Sequence, residues 1–275
     1  MTYLSAIQQS ATQLEDFDGD PQFAMTLAKG LELLSAFTPE RPILSNKELS
    51  DLLGMSKSTI SRFTYTLTRL GYMTTEKSSG KFQLGTAVLP IGYPLLANMA
   101  IRQIARPLMS ELAEAIQGSV SMGVLDRLHI TYVETSRHRS IFNTRMSDIG
   151  LSVSLAGSAI GRAYLCGLNS DAREMLLNTL RVKKPKEWAQ HKDALDKSMQ
   201  DYRRLGFCMA AGDILPDVYG VGIPFAGIRQ GELLVFNCVV HSYQGKNGAL
   251  ENEIGPRLLA MVKNLEGFML PHRST

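Results

Sequence analysis

The stretch GMSKSTISRFTYTLTRLGYM, Gly54 to Met73, decides how the N-terminal part of this chain folds. Ile60, Phe63 or Thr64, Leu67 and Leu70 recur at helical spacing and predict one buried stripe. Ser56 stands where an N-cap hydroxyl would open that helix, and Gly71 where a residue tolerant of the left-handed conformation would close it. The opposite side is more than solvent covering. Lys57, Ser58, Ser61, Arg62 and Tyr65 gather there, at separations of three and four residues. Hydroxyls and a base at a helix N-terminus suit phosphate, and an arginine can fork onto guanine in the major groove.

Just upstream, RPILSNKELSDLLG supplies a Pro-containing turn and a second helix. Ser45 lies three residues before Glu48, the spacing of a capping box, and Leu49, Leu52 and Leu53 follow as its buried side. Gly54 ends it, so the two helices are joined by only a few residues. Earlier still, Leu27, Leu31 and Leu34 mark one stripe of a helix within Phe23–Phe37. Downstream, YMTTEKSSGKFQLG reads as a strand, a Ser-Ser-Gly turn flanked by Lys77 and Lys81, and a returning strand. Helix, capped helix, glycine turn, basic helix and basic hairpin in that order predict a winged helix-turn-helix. Charge agrees: residues 1–40 hold one Lys or Arg against six Asp or Glu, whereas residues 41–81 hold seven against three, about +4 locally. The expected DNA-facing set is Ser45, Ser56, Lys57, Ser58, Thr59, Ser61, Arg62, Tyr65, Lys77 and Lys81. A rival reading from another class stands beside it, a small-molecule sensor or protein-interaction module whose winged helix docks on protein and does not bind DNA.

With 275 residues, 44% hydrophobic and 20% charged, the chain has room for two globular domains. It has no apolar run of 18 residues and no basic start followed by an apolar block, so neither a membrane span nor a secretory signal is expected, and the cytoplasm is the expected compartment. Cys166, Cys208 and Cys238 are widely spaced without a CxxC pair, which predicts reduced thiols in place of a disulfide frame or a zinc site. They read as packing residues, with redox sensing as the alternative. His129, His138, His191, His241 and His272 show no metal-binding spacing, and neither a nucleophile elbow nor a P-loop is present. Cys238 and His241, three apart on a predicted strand, would face opposite sides. No enzyme, cofactor or metal is expected.

TAVLPIGYPLLANMAIRQIARP, rich in buried-type side chains, makes a poor free linker. Pro90 and Pro94 bend any helix in its first half, and a helical connector serving subunit packing fits both features, with packing on its own C-terminal domain as the alternative. RPLMSELAEAIQG predicts a helix with Pro107 in its first turn and a glycine at its end. SVSMGVLDRLHITYVETS reads as two strands around the Asp126-Arg127 turn. SLAGSAIGRAYLCGL opens a helix, LDKSMQDYRRLGF is a helix ending at Gly206, and DVYGVGIPFAG, GELLVFNCVVHS and NEIGPRLLAMVKNLEGF follow as strand, strand and helix. Helices flanking an antiparallel sheet make an α+β domain able to enclose a small pocket. Small residues at a helix start leave room and expose N–H groups for a carboxylate, and Asn237, in an apolar strand, needs a partner from either ligand or protein.

These residues also carry a resemblance. LSNKELSDLLGMSKSTISRFTYTLTRLGYM and KFQLG resemble the N-terminal domain of the IclR (isocitrate lyase regulator) family of bacterial transcription factors, with Glu48, Leu49, Gly54, Lys57, Ser58, Thr59, Arg62, Thr66, Leu67, Gly71, Tyr72, Leu84 and Gly85 in matching places. Phe82 and Ser45 stand where Tyr and Thr are usual. GSAIGRAYL and RLGFCMAAGDILPDVYGVGIPF are more loosely similar to the C-terminal domain, without its usual His and with its acidic pair reduced to Asp213 and nearby Asp217. The resemblance implies an N-terminal arm at 1–20, a winged helix-turn-helix at 21–86, a linker helix at 87–103, and a GAF-like α/β effector-binding and oligomerisation domain at 104–272. It implies a ligand-responsive regulator of a catabolic operon that binds a palindromic operator as a homodimer or homotetramer. Its effector would be a small organic or aromatic acid, probed by Phe142, Ser158, Ala159, Ile160, Asp213, Gly220, Asn237 and Val239.

Overall fold

The computed structural model describes residues 17–139, 148–225 and 233–269. The chain divides into two compact units, one ending at Met99 and the other running from Ala100. The N-terminal unit contains α1 (Met25–Ser35), α2 (Asn46–Leu53), α3 (Lys57–Arg69), β1 (Met73–Thr75), β2 (Phe82–Leu84) and α4 (Leu89–Ala97). Local hydrogen bonds dictate its turns. Glu48 N donates to Ser45 Oγ at 3.2 Å while Ser45 N donates to Glu48 Oε2 at 2.7 Å, the reciprocal capping box expected from the spacing. Gly54 takes a positive φ of 63° and lets the chain turn directly into α3. β1 and β2 pair antiparallel, and Leu44 bridges to Phe82, so the wing is hydrogen-bonded to the entry of α2.

Leu33, Phe37, Leu44, Leu49, Met55, Ile60 and Met73 form this unit's core. Three sequence expectations are corrected here. Leu27 and Leu31 are exposed at 64% and 56%, because α1 is buried only near its C-terminal end, at Leu33. Leu52 is 46% exposed, on the outer side of α2. Leu70 is 61% exposed, since it sits at the C-cap and not on the inner stripe. Between Phe63 and Thr64, the fully enclosed residue is Thr64, whose hydroxyl donates to the Ile60 carbonyl at 3.0 Å and so enters the core satisfied.

The C-terminal unit contains α5 (Ala100–Ile116), β3 (Ser119–Asp126), β4 (His129–Arg137), β5 (Ser152–Ser154), α6 (Ala159–Gly167), α7 (Ser170–Lys183), α8 (Pro185–Leu205), β6 (Cys208–Ala211), β7 (Val218–Phe225), β8 (Leu234–His241) and α9 (Gly255–Met269). The strands form one antiparallel sheet in the order β5-β4-β3-β8-β7-β6. α5 and α9 cover one face; α6, backed by α8, covers the other, giving the α+β class. Arg127, with φ 54°, makes the β3–β4 turn, and Gly206, with φ 83°, ends α8, both where the sequence places them. The short strands β5 and β6 and the helix α7 carry no periodicity that singled them out.

α5 differs from expectation. It starts at Ala100, so Pro107 lies inside it, and its left-handed terminator is Gln117 with φ 50°, ahead of Gly118. The earlier start follows from Ile101 and Ala105, which extend the buried stripe of Met109, Leu112 and Ile116 upstream of the proline. That extra turn brings Arg102 and Arg106 to Glu134 on β4, with Nη2–Oε2 distances of 3.0 Å and 2.8 Å. Glu134 and Arg102 are buried, whereas the Arg106 side chain is 55% exposed. A buried charge deprived of its partner is far more destabilising than a solvated one. Glu134→Ala should therefore lower unfolding stability by roughly 3–5 kcal/mol in denaturant titration, and Arg106→Ala by no more than about 1 kcal/mol.

Candidate DNA interface and effector site

Ser56 caps α3 as its position implies: Thr59 N donates to Ser56 Oγ at 3.2 Å, and Ser58 Oγ and Thr59 Oγ1 each lie 2.9 Å from the same oxygen. Three hydroxyls therefore cluster over the N-terminal N–H groups of a 13-residue helix. Lys57, Ser58, Ser61, Arg62 and Tyr65 are all exposed, while Thr59 is half-buried. Lys77 is exposed at the tip of the wing. Lys81 is committed elsewhere, its Nζ lying 3.3 Å from Glu48 Oε2, and the Ser45 hydroxyl is occupied by the capping box. The Ser45 hydrogen bonds, with Lys81 behind them, hold the Glu48 carboxyl down at about 2, against an ordinary 4.5. A value lowered on folding stabilises the native state above the ordinary pKa, and the contribution is lost as pH falls toward the folded one. At neutral pH the Glu48 carboxylate that ties the wing to the helix is ionised.

In the C-terminal unit Ser158 caps α6, accepting from Gly161 N at 3.1 Å and donating to the Ser154 carbonyl at 2.5 Å. Ala159 and Ile160 are buried behind it. The small residues here serve a different end from the one the sequence implied. A Cβ on Gly222 would lie 2.3 Å from the Ala159 carbonyl oxygen, and one on Gly161 would lie 2.3 Å from that of Leu155. Backbone, not vacant space, fills the room at those two positions, seating the start of α6 on β7. Gly220 is looser, since a Cβ there would meet the Cys238 carbonyl oxygen at 3.3 Å and the Ala159 Cβ at 3.5 Å.

Gly220 and Val239 are partners across β7–β8, and Asn237 lies opposite Gly222 on one side and Ser121 on the other. Asn237 Nδ2 donates to the Tyr132 hydroxyl at 3.0 Å; its Oδ1 has no hydrogen-bond partner among the described residues. Ser121 and Thr135 hydroxyls pair at 3.0 Å beside them. Burial pushes the Tyr132 phenol up to about 12, so it is neutral. Asp213 Oδ2 accepts from Arg162 Nη1 at 3.2 Å and from Ala211 N at 3.1 Å. Arg162, 2% exposed, also donates from Nε to the Ala156 carbonyl at 2.8 Å and from Nη1 to that of Met209 at 3.1 Å, leaving Nη2 unpartnered among the described residues. Phe142 lies outside the described residues.

The structure thus gathers Asn237, Val239 and Gly220 on neighbouring strands, ties Asp213 to Arg162, and places Ser158, Ala159 and Ile160 at the start of α6. Sequence reasoning missed Tyr132, Ser121 and Arg162. Arg162 stood in a matched motif without a role, and nothing local pairs Tyr132 with a residue 105 positions away. Among the described residues no cluster of His, Cys, Asp or Glu could hold a metal ion, and no helix is long and apolar enough to cross a membrane.

A winged helix followed by a ligand-sized α+β domain defines a class of DNA-binding regulators, and comparison with known proteins places the chain within it. Residues 26–77 match the IclR helix-turn-helix domain and residues 94–262 match the bacterial transcriptional regulator IclR C-terminal domain. The HTH-type transcriptional regulator TsaQ1/TsaQ2 of Comamonas testosteroni is 31% identical over 89% of this chain and 88% of its own. The Pca regulon regulatory protein of Pseudomonas putida is 23% identical over 94% and 89%. An IclR family transcriptional regulator from Brucella abortus superposes with a TM-score of 0.81 at 37% identity, over 94% of this chain and 99% of its own. An IclR homolog from Microbacterium hydrocarbonoxydans complexed with 4-hydroxybenzoate shares the fold, with a TM-score of 0.66 at 18% identity over 89% and 98%. The chain belongs to the IclR family of bacterial transcriptional regulators.

The seat of α6 on β7 leaves no slack for a methyl group, because the obstacle is a backbone carbonyl. Gly222→Ala should lower the unfolding free energy toward the upper end of the about 1–3 kcal/mol typical of overpacking, measured by urea titration.

Proposed function

We propose that this regulator is a cytoplasmic homodimer, or a pair of dimers, that reads a palindromic operator and responds to a small hydroxylated organic acid. The exposed face of α3 carries the first part. Lys57, Ser58, Ser61 and Arg62 present bases and hydroxyls from the opening turns of a helix whose opposite side buries Ile60 and Thr64. Arg62 is the residue placed for base readout, Lys77 on the wing for phosphate, and Ser45 and Lys81 act from behind by fixing the wing to α2. One recognition helix reads few base pairs, so a two-fold pair of chains is needed for a long site. The exposed Leu89, Ile91, Tyr93 and Leu95 of α4 support its use in pairing subunits. The domain limits 21–86, 87–103 and 104–272 fit this division of labour.

Arg62→Ala should weaken binding to the cognate duplex by about 1–3 kcal/mol and relax specificity. Log affinity of the native chain should fall linearly with log salt, as phosphate contacts require. Fluorescence anisotropy checks both, and an unchanged affinity in the mutant with a flat salt response would favour a protein-docking role for the winged helix.

Asn237 carries the second part. Among the described residues its buried Oδ1 is an acceptor without a donor, a costly state that a ligand hydroxyl would relieve. The 4-hydroxybenzoate held by the M. hydrocarbonoxydans homolog has that chemistry, and the Pca and TsaQ relatives support the control of catabolic genes. In a thermal-shift screen of small acids, hydroxylated ones should stabilise the native chain. Asn237→Val, which places a β-branched residue suited to a buried strand in β8, should abolish that shift; a shift that survives the substitution refutes the assignment.

A further inference from the structure

Two of the three cysteines, apart in sequence, lie together in the C-terminal unit. Cys166 is in the last turn of α6 and Cys208 is the first residue of β6, and their Sγ atoms are 3.5 Å apart. Cys208 is buried, with the Ser198 carbonyl 3.7 Å from its sulfur, whereas Cys166 is half-exposed. Cys238 is fully buried in β8 and pairs with neither. Cys166 is the more accessible of the two, partly buried against the core and near the cations Arg173 and Arg203. The Cys208 hydrogen bond pulls the Cys166 thiol below its ordinary range, with Arg173 and Arg203 adding to the effect against burial. The partner's hydrogen bond and burial push Cys208 up. One sulfur is thus set to attack and the other to resolve.

We propose that Cys166 and Cys208 form a reversible disulfide when a hydroperoxide reaches Cys166, fastening the end of α6 to β6. The Cys166 thiolate attacks the distal peroxide oxygen; an S–O bond forms, the O–O bond breaks, and the leaving oxygen takes a proton to depart as water or alcohol. Cys208 then attacks the sulfenic sulfur, its proton leaving with the displaced hydroxide as water. Two thiols are oxidised by two electrons and the peroxide is reduced by the same two. The sulfurs must close from 3.5 Å to about 2.05 Å. A dithiol reductant reverses the bond, as a signal in a reducing compartment requires. The link would sit one residue from Met209, whose carbonyl accepts from Arg162, so it would brace the same wall that holds Asp213. That consequence rests on the proposed effector site; the disulfide itself does not.

The test uses the full chain and neither operator nor effector, so its outcome is separable from the regulatory reading. The reduced protein is exposed to a small excess of hydrogen peroxide, free thiols are blocked with N-ethylmaleimide, and peptides are mapped without reduction. A peptide pair joined through Cys166 and Cys208 is expected, lost on dithiothreitol treatment, with Cys238 blocked only after denaturation. Cys208→Ser should instead leave a sulfenic acid on Cys166 that dimedone traps, and Cys166→Ser should give neither that adduct nor the linked pair, which keeps the idea testable if the buried Cys208→Ser misfolds. Recovery of both thiols as maleimide adducts after peroxide, or conversion of Cys166 to sulfinic acid in the native chain without the linked pair, would overturn the proposal.

Discussion

A guanidinium taken out of water must be surrounded by acceptors, and in the C-terminal unit that requirement falls on Arg162. Its acceptors come from three separate segments: the Ala156 carbonyl before α6, the Met209 carbonyl in β6, and the Asp213 carboxylate in the turn beyond. None of the three is held there by local helix or strand geometry alone. The charge therefore gathers the start of α6, the edge strand and the Asp213 turn into one piece. His191 lies in the same neighbourhood, and burial first, then Arg162, lower its pKa.

The N-terminal unit is built on other physics. Its turns are set within a few residues by the Ser45–Glu48 box, by Gly54 and by the Ser56 cap, and its small core adds only seven buried apolar side chains among the described residues. Short-range hydrogen bonds suffice because the working part is one exposed helix face, which needs a fixed angle more than a deep core. The Lys81–Glu48 pair and the Leu44–Phe82 bridge extend the same fixing to the wing.

This contrast explains what could be read from the residues alone. Caps and turns declare themselves locally, so the helix-turn-helix, the wing, the Arg127 turn and the Gly206 stop were all legible. The buried side of α1 was not, because Leu27, Leu31 and Leu34 satisfy the helical period as well as Leu33 does, and only the neighbouring helix decides. Pro107 misled because a first-turn proline and an interior one look alike until the upstream stripe of Ile101 and Ala105 is given weight. The small residues around α6 read as leaving room for a ligand, whereas at Gly161 the room is taken by the Leu155 backbone, as it is at Gly222 by that of Ala159. Pairings across long separations, Asn237 with Tyr132, Arg162 with Asp213 and Cys166 with Cys208, leave no local trace.

One such long-range feature joins the two faces of the sheet. Residues two apart on a regular strand point the same way, yet Tyr132 reaches Asn237 on the α6 side while Glu134 reaches Arg102 on the α5 side. The pairing of β3 with β4 shows why: Met122 lies opposite Glu134 and Gly123 opposite Tyr132, so Val133 is an extra residue, a β-bulge that reverses the alternation. The partner of Asn237 and the anchor of α5 are consequently neighbours through one bulge. Arg102, the other end of that anchor, stands in the first turn of α5, close to the Met99–Ala100 division between the units. A regular strand would have put both groups on one face and left α5 with no charged hold on the sheet.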